Sequence, residues 1–171
     1  TNLSGMDATE ILIKIRKIVR SIDIESKKIQ KEYGVTIPQV LCLNFLNNSP
    51  SYQTTQSEIK KFLNLNSSTV SGIIDRLEKR GYLARLPKSG DKRIANIALT
   101  SSGEELLSTI PPLLHEQLST KLQSLDEPEI RKVENSLETL VRLLDIEQLE
   151  ASPLITLEVD IENDNALNTS Q

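Results

Sequence analysis

The sequence has few of the residues that carry most enzyme chemistry. Its 171 residues include one cysteine, one histidine and no tryptophan. Cys42 and His115 lie far apart in the chain, and neither belongs to a Cys or His cluster, a glycine-rich phosphate loop or a nucleophile elbow. We therefore expect no catalytic residue, no metal site and no cofactor, and a lone cysteine cannot form an internal disulfide.

Long apolar runs are also missing. No window approaches the roughly 18 consecutive apolar residues that a membrane span needs, and the first residues lack the basic and apolar pattern of a signal leader. A cytoplasmic protein without membrane contact is the expectation. Residues 1–6, which end at the single methionine Met6, are treated as an N-terminal extension that is either left over from cloning or native.

The charge of the chain is unevenly distributed. The net charge is -4, yet residues 57–93 contain nine Lys and Arg against four Asp and Glu, so that this stretch carries +5 and the other residues carry -9. With 37% apolar residues the chain can bury one good core. The overall acidity does not exclude a nucleic acid as partner, because positive charge is concentrated in one stretch.

That stretch lies within residues 55–100, whose pattern predicts a helix, a tight turn, a second helix and a hairpin. Thr55 and Glu58 have the spacing of a capping box for a helix over 57–63. After a short turn, Asn66 can cap the second helix by accepting a backbone N–H bond. The order of elements is that of a winged helix-turn-helix.

The second helix has two different faces. Its apolar residues recur at helical spacing and predict one buried stripe, made of Val70, Ile73, Ile74 and Leu77. The opposite face is small, hydroxylated and basic, and comprises Ser68, Ser71, Gly72, Asp75, Arg76 and Lys79. Short hydroxylated side chains let a helix come close to base edges in the major groove. The alternative is a polar face that only contacts solvent.

A basic hairpin is expected to follow. Gly81 can end the second helix, and residues 82–86 and 94–99 predict two strands around a tip at 87–93. A basic tip suits contact with phosphates, although winged helices also occur as modules that bind only proteins. The residues predicted to contact DNA are Thr55, Gln56, Ser67, Ser68, Thr69, Ser71, Gly72, Arg76, Lys88, Ser89, Asp91, Lys92 and Arg93.

The segment LNLNSSTVSGIIDRLEKRGYLARLPKSGDKRIANIALTSSGEELL resembles the MarR family of bacterial transcription factors. Its most specific marks are the D-x-R of the wing and the L-T-x-x-G after it, and the similarity extends over about residues 11–144. The resemblance implies a homodimer in which the wing arginine, Arg93, enters the minor groove and Asp91 holds it by an ion pair. It also implies that a small-molecule effector would bind between the DNA-binding lobe and the dimer helices.

A finer resemblance lies in residues 15–46, which are similar to MarR-type regulators associated with ectoine and other compatible-solute genes. It implies control of osmoprotectant genes by an osmotic signal, with a small-molecule inducer as the rival. A response to ionic strength is physically natural for a protein whose affinity rests on phosphate contacts.

The flanking segments predict helices that need partners. A long amphipathic helix is expected from residue 7 to about 32, and a helix with a capping box at Thr36 and Gln39 is apolar nearly all round. After the wing, Ser101 and Glu104 predict a helix that Pro111-Pro112 should kink, and Asp126 predicts the cap of a last apolar helix. Apolar helices at both ends of the chain predict a homodimer.

These elements predict a mainly α fold with a small β-hairpin wing. The expected organisation is a DNA-binding lobe at 35–100, a helical dimerisation region at 7–34 and 101–149, and an acidic, flexible tail at 150–171. Within the tail, alternating apolar residues from Ile155 to Ile161 also fit a strand.

The predicted function is a sequence-specific regulator, expected to be a repressor, that binds double-stranded DNA as a homodimer on a pseudo-palindromic operator. Two alternatives stay open: a winged-helix adaptor that binds proteins only, and a regulator in which Cys42 senses oxidants rather than only packing in its helix.

Overall fold

The structure, a computed structural model, describes residues 5–88, 94–151 and 154–155. Its helices are α1 (Gly5–Tyr33), α2 (Ile37–Asn47), α3 (Gln56–Leu63), α4 (Ser67–Lys79), α5 (Ser101–Thr109), α6 (Leu114–Gln123) and α7 (Glu127–Leu143). Its strands are β1 (Gln53–Thr55), β2 (Leu83–Arg85) and β3 (Asn96–Leu99). The predicted fold class, mainly α with a small β wing, is confirmed.

The described residues divide into two compact units, separated between Pro111 and Pro112. The first unit contains α1 to α5 and the sheet, and the second contains α6 and α7. Within the first unit α5 packs against α2, which places α5 with the winged lobe. The assignment of terminal helices to a dimerisation region stays a prediction.

Helix α2 forms the centre of the first unit. Its capping box is present as predicted: the Thr36 backbone N–H donates to Gln39 Oε1 at 3.0 Å, and the Gln39 N–H donates to Thr36 Oγ1 at 3.4 Å. Because the helix is apolar nearly all round, it has no polar face to expose to solvent. Its buried residues are Ile37, Pro38, Gln39, Val40, Leu41, Cys42, Leu43 and Leu46.

The sheet has three strands rather than the two of the predicted hairpin. Strand β3 lies in the middle and pairs antiparallel with both neighbours, with Thr54 opposite Ile97 on one side and Arg85 opposite Ile97 on the other. Strand β1 was missed because three residues are too short to show a period of two. Its last residue, Thr55, is also the cap of α3, and only this signal was visible in the sequence.

Hydrogen bonds at the start of α5 connect the end of the wing to the end of α4. The helix begins one residue earlier than the predicted capping box implies, because Thr100 rather than Ser101 is the N-cap and accepts the Gly103 N–H at 3.1 Å. Thr100 Oγ1 also donates to the Gly81 carbonyl at 2.5 Å, and the Thr100 N–H donates to the Tyr82 carbonyl at 3.2 Å. These contacts explain the L-T-x-x-G pattern in physical terms.

Gly103 is required by this close approach. A Cβ atom at residue 103 would lie 2.1 Å from the Tyr82 carbonyl oxygen and 2.7 Å from Leu99 Cδ1. Backbone cannot move aside as a flexible side-chain end can, so the site accepts only glycine without a shift of the strand. By contrast, a Cβ atom at Gly72, on the outer face of α4, would meet no atom within 4 Å.

The predicted kink at Pro111-Pro112 is wrong, because the chain leaves the helical conformation there. Helix α5 ends at Thr109, Ile110 is extended with ψ 127°, and α6 begins only at Leu114. Two adjacent prolines remove two backbone donors, and each disfavours the helical conformation in the residue before it. The cap of α7 is as predicted, since Asp126 Oδ1 accepts the Glu129 N–H at 3.0 Å.

Cys42 is part of the core and does not fit the oxidant-sensing alternative. Its side chain is 0% exposed, and burial raises the pKa of the thiol to about 12. Oxidation and alkylation proceed through the thiolate, which needs a lowered pKa and access to solvent. Both requirements are unmet at this position.

We predict that Gly103→Ala destabilises the protein and that Gly72→Ala does not. The first substitution forces a Cβ atom against the Tyr82 carbonyl and should lower the free energy of unfolding by about 1–3 kcal/mol. The second places alanine in an exposed helix position and should raise it by roughly 0.5–1 kcal/mol. Urea denaturation at one protein concentration measures both, and equal effects of the two substitutions would contradict the close approach at Gly103.

We also predict that the native Cys42 thiol is inert. At pH 8, iodoacetamide should alkylate it at least about tenfold more slowly in the folded protein than in urea, because the reactive thiolate is scarce and shielded. Since the folded pKa lies above the unfolded value of about 9, the stability that this preference contributes is present below pH 9 and is lost as the pH rises towards 12. Native alkylation at the rate of the unfolded chain would refute the assignment of Cys42 to the core.

Candidate nucleic-acid interface

Helix α4 presents the polar face that the sequence predicts. Its four stripe residues, Val70, Ile73, Ile74 and Leu77, are all buried. The predicted cap is also present, since Asn66 Oδ1 accepts the Thr69 N–H at 2.8 Å and the Ser68 hydroxyl at 2.7 Å. Because this stripe is buried, the side chains on the opposite side of the first turns of α4 face outward.

The turn between α3 and α4 fixes the crossing of these two helices. Asn64 adopts the left-handed conformation, with φ 53°, and its N–H donates to the Lys60 carbonyl at 2.9 Å. Leu65 is half-buried as the apolar plug of the turn. At the other end of α3, Thr55 Oγ1 accepts the Glu58 N–H at 3.2 Å, which is the Thr55 half of the predicted capping box.

The predicted contact residues divide by their placement. Ser67, Ser68 and Lys88 are exposed, while the half-buried ones are Thr55, Gln56, Thr69, Ser71, Gly72 and Arg76. Thr55 and Gln56 lie at the start of α3, and the serines, Thr69 and Gly72 lie in the first two turns of α4. Arg76 lies later in α4, and Lys88 follows β2. The remaining predicted residues, Ser89, Asp91, Lys92 and Arg93, lie outside the described residues, as does the strand pattern predicted for the tail beyond residue 155.

Three exposed lysines belong to the same basic stretch but were absent from the prediction. Lys60 and Lys61 lie in the last turn of α3, and Lys79 lies in the last turn of α4. The excess of positive charge over residues 57–93 already contained this signal, since these lysines contribute three of its nine cations. They extend the basic surface beyond the residues expected to approach bases.

Arg85 makes a contact that sequence reasoning did not find. From β2 it reaches α4, where Nη2 lies 2.6 Å from Asp75 Oδ1 and Nη1 lies 2.7 Å from Glu78 Oε1. The Arg85 backbone N–H also donates to Glu78 Oε2 at 3.0 Å. The two carboxylates are seven and ten residues away in sequence, and no local pattern indicates that a strand will return beside them.

These contacts change the acidity of the groups involved. The hydrogen bond from the Arg85 backbone N–H, followed by that from its side chain, holds the pKa of Glu78 below its usual value. The hydrogen bond to Asp75, with a smaller contribution from Glu78, raises the pKa of Arg85. Both directions favour the ionised forms, so Glu78 and Arg85 stay charged and paired at neutral pH.

The C-terminal end of α4 is tied to the end of α1. Arg80 Nη1 donates to the carbonyl of Gly34, which has φ 69° and follows the last residue of α1. The Arg80 guanidinium also lies over the Tyr82 ring, 5.1 Å from its centroid, in a cation–π contact. Gly81, with φ 79°, ends α4 as predicted, because the Tyr82 N–H returns to the Leu77 carbonyl at 3.0 Å.

The described ranges contain neither a metal-binding cluster nor a helix suited to cross a membrane. Among residues 5–88, 94–151 and 154–155, the acidic, His and Cys side chains form no cluster of three that could hold a metal ion. His115 is half-buried in α6, and its Nδ1 has no hydrogen-bond partner there. None of the helices in this part of the chain combines the length and the apolar character that crossing a membrane requires.

Comparisons with known proteins agree with this geometry. The sequence model of the MarR family matches residues 35–95, the stretch from α2 to the wing. The chain is 25% identical over 144 residues to the HTH-type transcriptional regulator YfiV of Bacillus subtilis (strain 168), covering 84% of this chain and 89% of that protein. It is 27% identical over 124 residues to the transcriptional repressor MprA of Escherichia coli (strain K12), covering 71% and 69%.

Among solved structures, the chain is similar to the S. aureus MepR–DNA complex, with a TM-score of 0.58 and 25% identity over 77% of this chain and 96% of that one. The relatives are regulators, which confirms the expectation that this chain is not an enzyme. Fold, motif and relatives lead to one conclusion: the region from α2 to the wing belongs to the MarR family, and the chain as a whole resembles transcriptional regulators.

Proposed function

We propose that the protein binds double-stranded DNA sequence-specifically as a homodimer and that the first turns of α4 enter the major groove. The observation that carries this proposal is the outer face of α4, where Ser68 is exposed and Gly72 opens onto free space, on a helix whose other face is buried. A face of this kind can come within hydrogen-bonding distance of base edges, and hydroxyls can bond to donors or acceptors there.

Cations around this face would contact the phosphates. Arg76 lies one turn beyond Gly72 on α4, and Lys60 and Lys61 lie at the end of α3. Phosphate contacts position a helix in the groove without reading sequence. The DNA complex of MepR and the similarity to the transcriptional repressor MprA support DNA binding and repression as the function of this chain too.

The wing completes the proposed interface. Strands β2 and β3 pair antiparallel, with Leu83 opposite Leu99. Because β2 also packs against α4, the segment that connects the two strands starts beside the reading helix. By family resemblance Arg93 would enter the minor groove, braced by Asp91. A narrow minor groove attracts arginine through its negative potential, which would favour A/T-rich flanks.

Exposed apolar side chains on α1 and on α7 support the homodimer. Helix α1 exposes Ile11, Leu12, Ile13, Ile18, Val19 and Ile24, and α7 exposes Ile130, Val133, Leu137 and Leu143. Soluble chains rarely leave such stretches uncovered. We propose that a second copy of the chain covers them, and the near-heptad spacing on α7 suits a helix from a partner.

The regulatory signal is proposed from the two family resemblances. The resemblance of residues 15–46 favours control of osmoprotectant genes by salt, and the family resemblance favours a small-molecule effector instead. A salt response needs no ligand site, because phosphate contacts weaken as counterions compete. Action on chromosomal DNA would place the protein in the cytoplasm.

The first prediction of this proposal concerns assembly. Light scattering at micromolar concentration should give twice the mass of the chain, and Val133→Glu with Leu137→Glu on α7 should give a monomer or aggregates, because charge at a packed apolar seam is costly. The control, Arg131→Glu with Lys132→Glu, adds the same number of carboxylates to exposed polar positions of α7 and should leave the dimer intact. A monomeric unmodified chain would refute the dimer.

The second prediction concerns DNA. Selection from random duplexes should recover an inverted repeat with half-site centres roughly one helical turn apart. Gly72→Leu should abolish sequence-specific binding by blocking groove entry. Arg76→Ala should weaken binding to specific and scrambled duplexes alike and reduce the salt slope by about one unit, and Arg93→Ala should reduce the preference for A/T-rich flanks.

Two outcomes would contradict this assignment. Recovery of no sequence, with only weak and salt-sensitive binding, would favour a winged-helix adaptor that binds proteins. Arg93→Ala binding both duplexes as tightly as the unmodified protein would show that the wing does not contact DNA.

A further inference from the structure

The outer face of α4 contains two carboxylates that a DNA-binding surface would normally exclude. Asp75 follows Ser68, Ser71 and Gly72 at helical spacing, so it shares their face, and its side chain is 61% exposed. Glu78 lies one turn further and is 40% exposed. Uncompensated, two negative charges beside a phosphate backbone would repel it and weaken binding.

Arg85 pairs with both carboxylates at once and offsets one of their two negative charges. Its two terminal nitrogens go to different partners, Nη2 to Asp75 at 2.6 Å and Nη1 to Glu78 at 2.7 Å, while its backbone N–H occupies the second oxygen of Glu78 at 3.0 Å. The Arg85 side chain is only 33% exposed. Three hydrogen bonds from one residue of β2 therefore fix a full turn of α4 against the strand that leads into the wing.

We infer that Arg85 is a positioning residue for DNA recognition: it orients the reading helix relative to the wing and holds the acidic pair Asp75 and Glu78, offsetting one of its two negative charges, without contacting DNA itself. This inference rests on the proposed function. Helix and wing must enter neighbouring grooves together, so their relative angle decides whether both sets of contacts form. The side chains are partly exposed, so the contribution to stability is small and the main effect is on recognition.

The arrangement is specific to arginine. A planar guanidinium can donate to two carboxylates in fixed directions, whereas a lysine ammonium is a single point charge on a flexible chain. Lysine at this position would keep the net charge of the cluster and lose its geometry. The Arg85→Lys variant therefore separates orientation from charge.

A double-mutant cycle distinguishes this role from a direct phosphate contact. Arg85→Met and Asp75→Asn/Glu78→Gln are made separately and together, and affinity is measured against salt on the selected duplex and on a scrambled one. In the unmodified background Arg85→Met should reduce the ratio of specific to scrambled affinity roughly five- to tenfold. In the background without the two carboxylates the same substitution should have almost no effect, because the groups through which Arg85 acts are gone.

A residue that contacts DNA directly would behave otherwise. Arg85→Met would then cost the same in both backgrounds and reduce the salt slope by about one unit in each, which would overturn the inference. Arg131→Met is the matched control, since Arg131 pairs with Glu127 on α7 in a comparable but more exposed contact. It should leave affinity and salt slope unchanged.

Arg85→Lys covers the case in which Arg85→Met does not fold. It should keep most of the binding to scrambled DNA and lose discrimination, whereas full discrimination by Arg85→Lys would refute an orienting role. An unmodified protein that selects no sequence would overturn the proposed function, and with it this inference. Selection by the unmodified protein combined with equal losses in both backgrounds would overturn the role of Arg85 alone.

Discussion

The burial of α2 is the constraint on which the first unit of the structure depends. Helices α1, α3, α4 and α5 and strands β1 and β3 all contact it, so the helix proposed to read DNA and the sheet that carries the wing share one support. Among the described residues Gln39 is the one buried polar residue, and its side chain is used in the capping box of the same helix. Because the buried polar side chain of α2 is already hydrogen-bonded, other elements can pack against this helix on all sides. Cys42 is therefore an ordinary core residue of α2.

Features set by local spacing could be predicted from the sequence, and features set by tertiary approach could not. The stripe of α4 and the caps at Thr36, Asn66 and Asp126 follow from residues within one or two turns, where a single hydrogen bond decides the outcome. The pairing of Arg85 with Asp75 depends on where β2 returns after the turn, and periodicity contains no such information. The same reason explains why β1 was missed and why two prolines ended a helix that was expected only to bend.

Positive and negative charges are segregated in this protein, both along the chain and within the basic stretch. Along the chain, residues 57–93 are basic in an otherwise acidic sequence. Within the basic stretch, Asp75 and Glu78 are paired with Arg85, while Lys60, Lys61 and Lys88 are exposed and free to meet a partner's phosphates. Arg85 offsets one of the two negative charges of this pair, so the cluster of Arg85, Asp75 and Glu78 keeps one negative charge in an otherwise basic stretch.

Arg80 connects this surface to the rest of the first unit. It lies at the C-cap of α4 and holds the carbonyl of Gly34, where α1 ends and the chain turns towards α2. Since α2 is buried and Gly34 has a positive φ, a change in the direction of α1 would be taken up at this turn rather than inside either helix. Arg80 therefore ties this turn to the C-terminal end of α4, which lies opposite the end proposed to read bases.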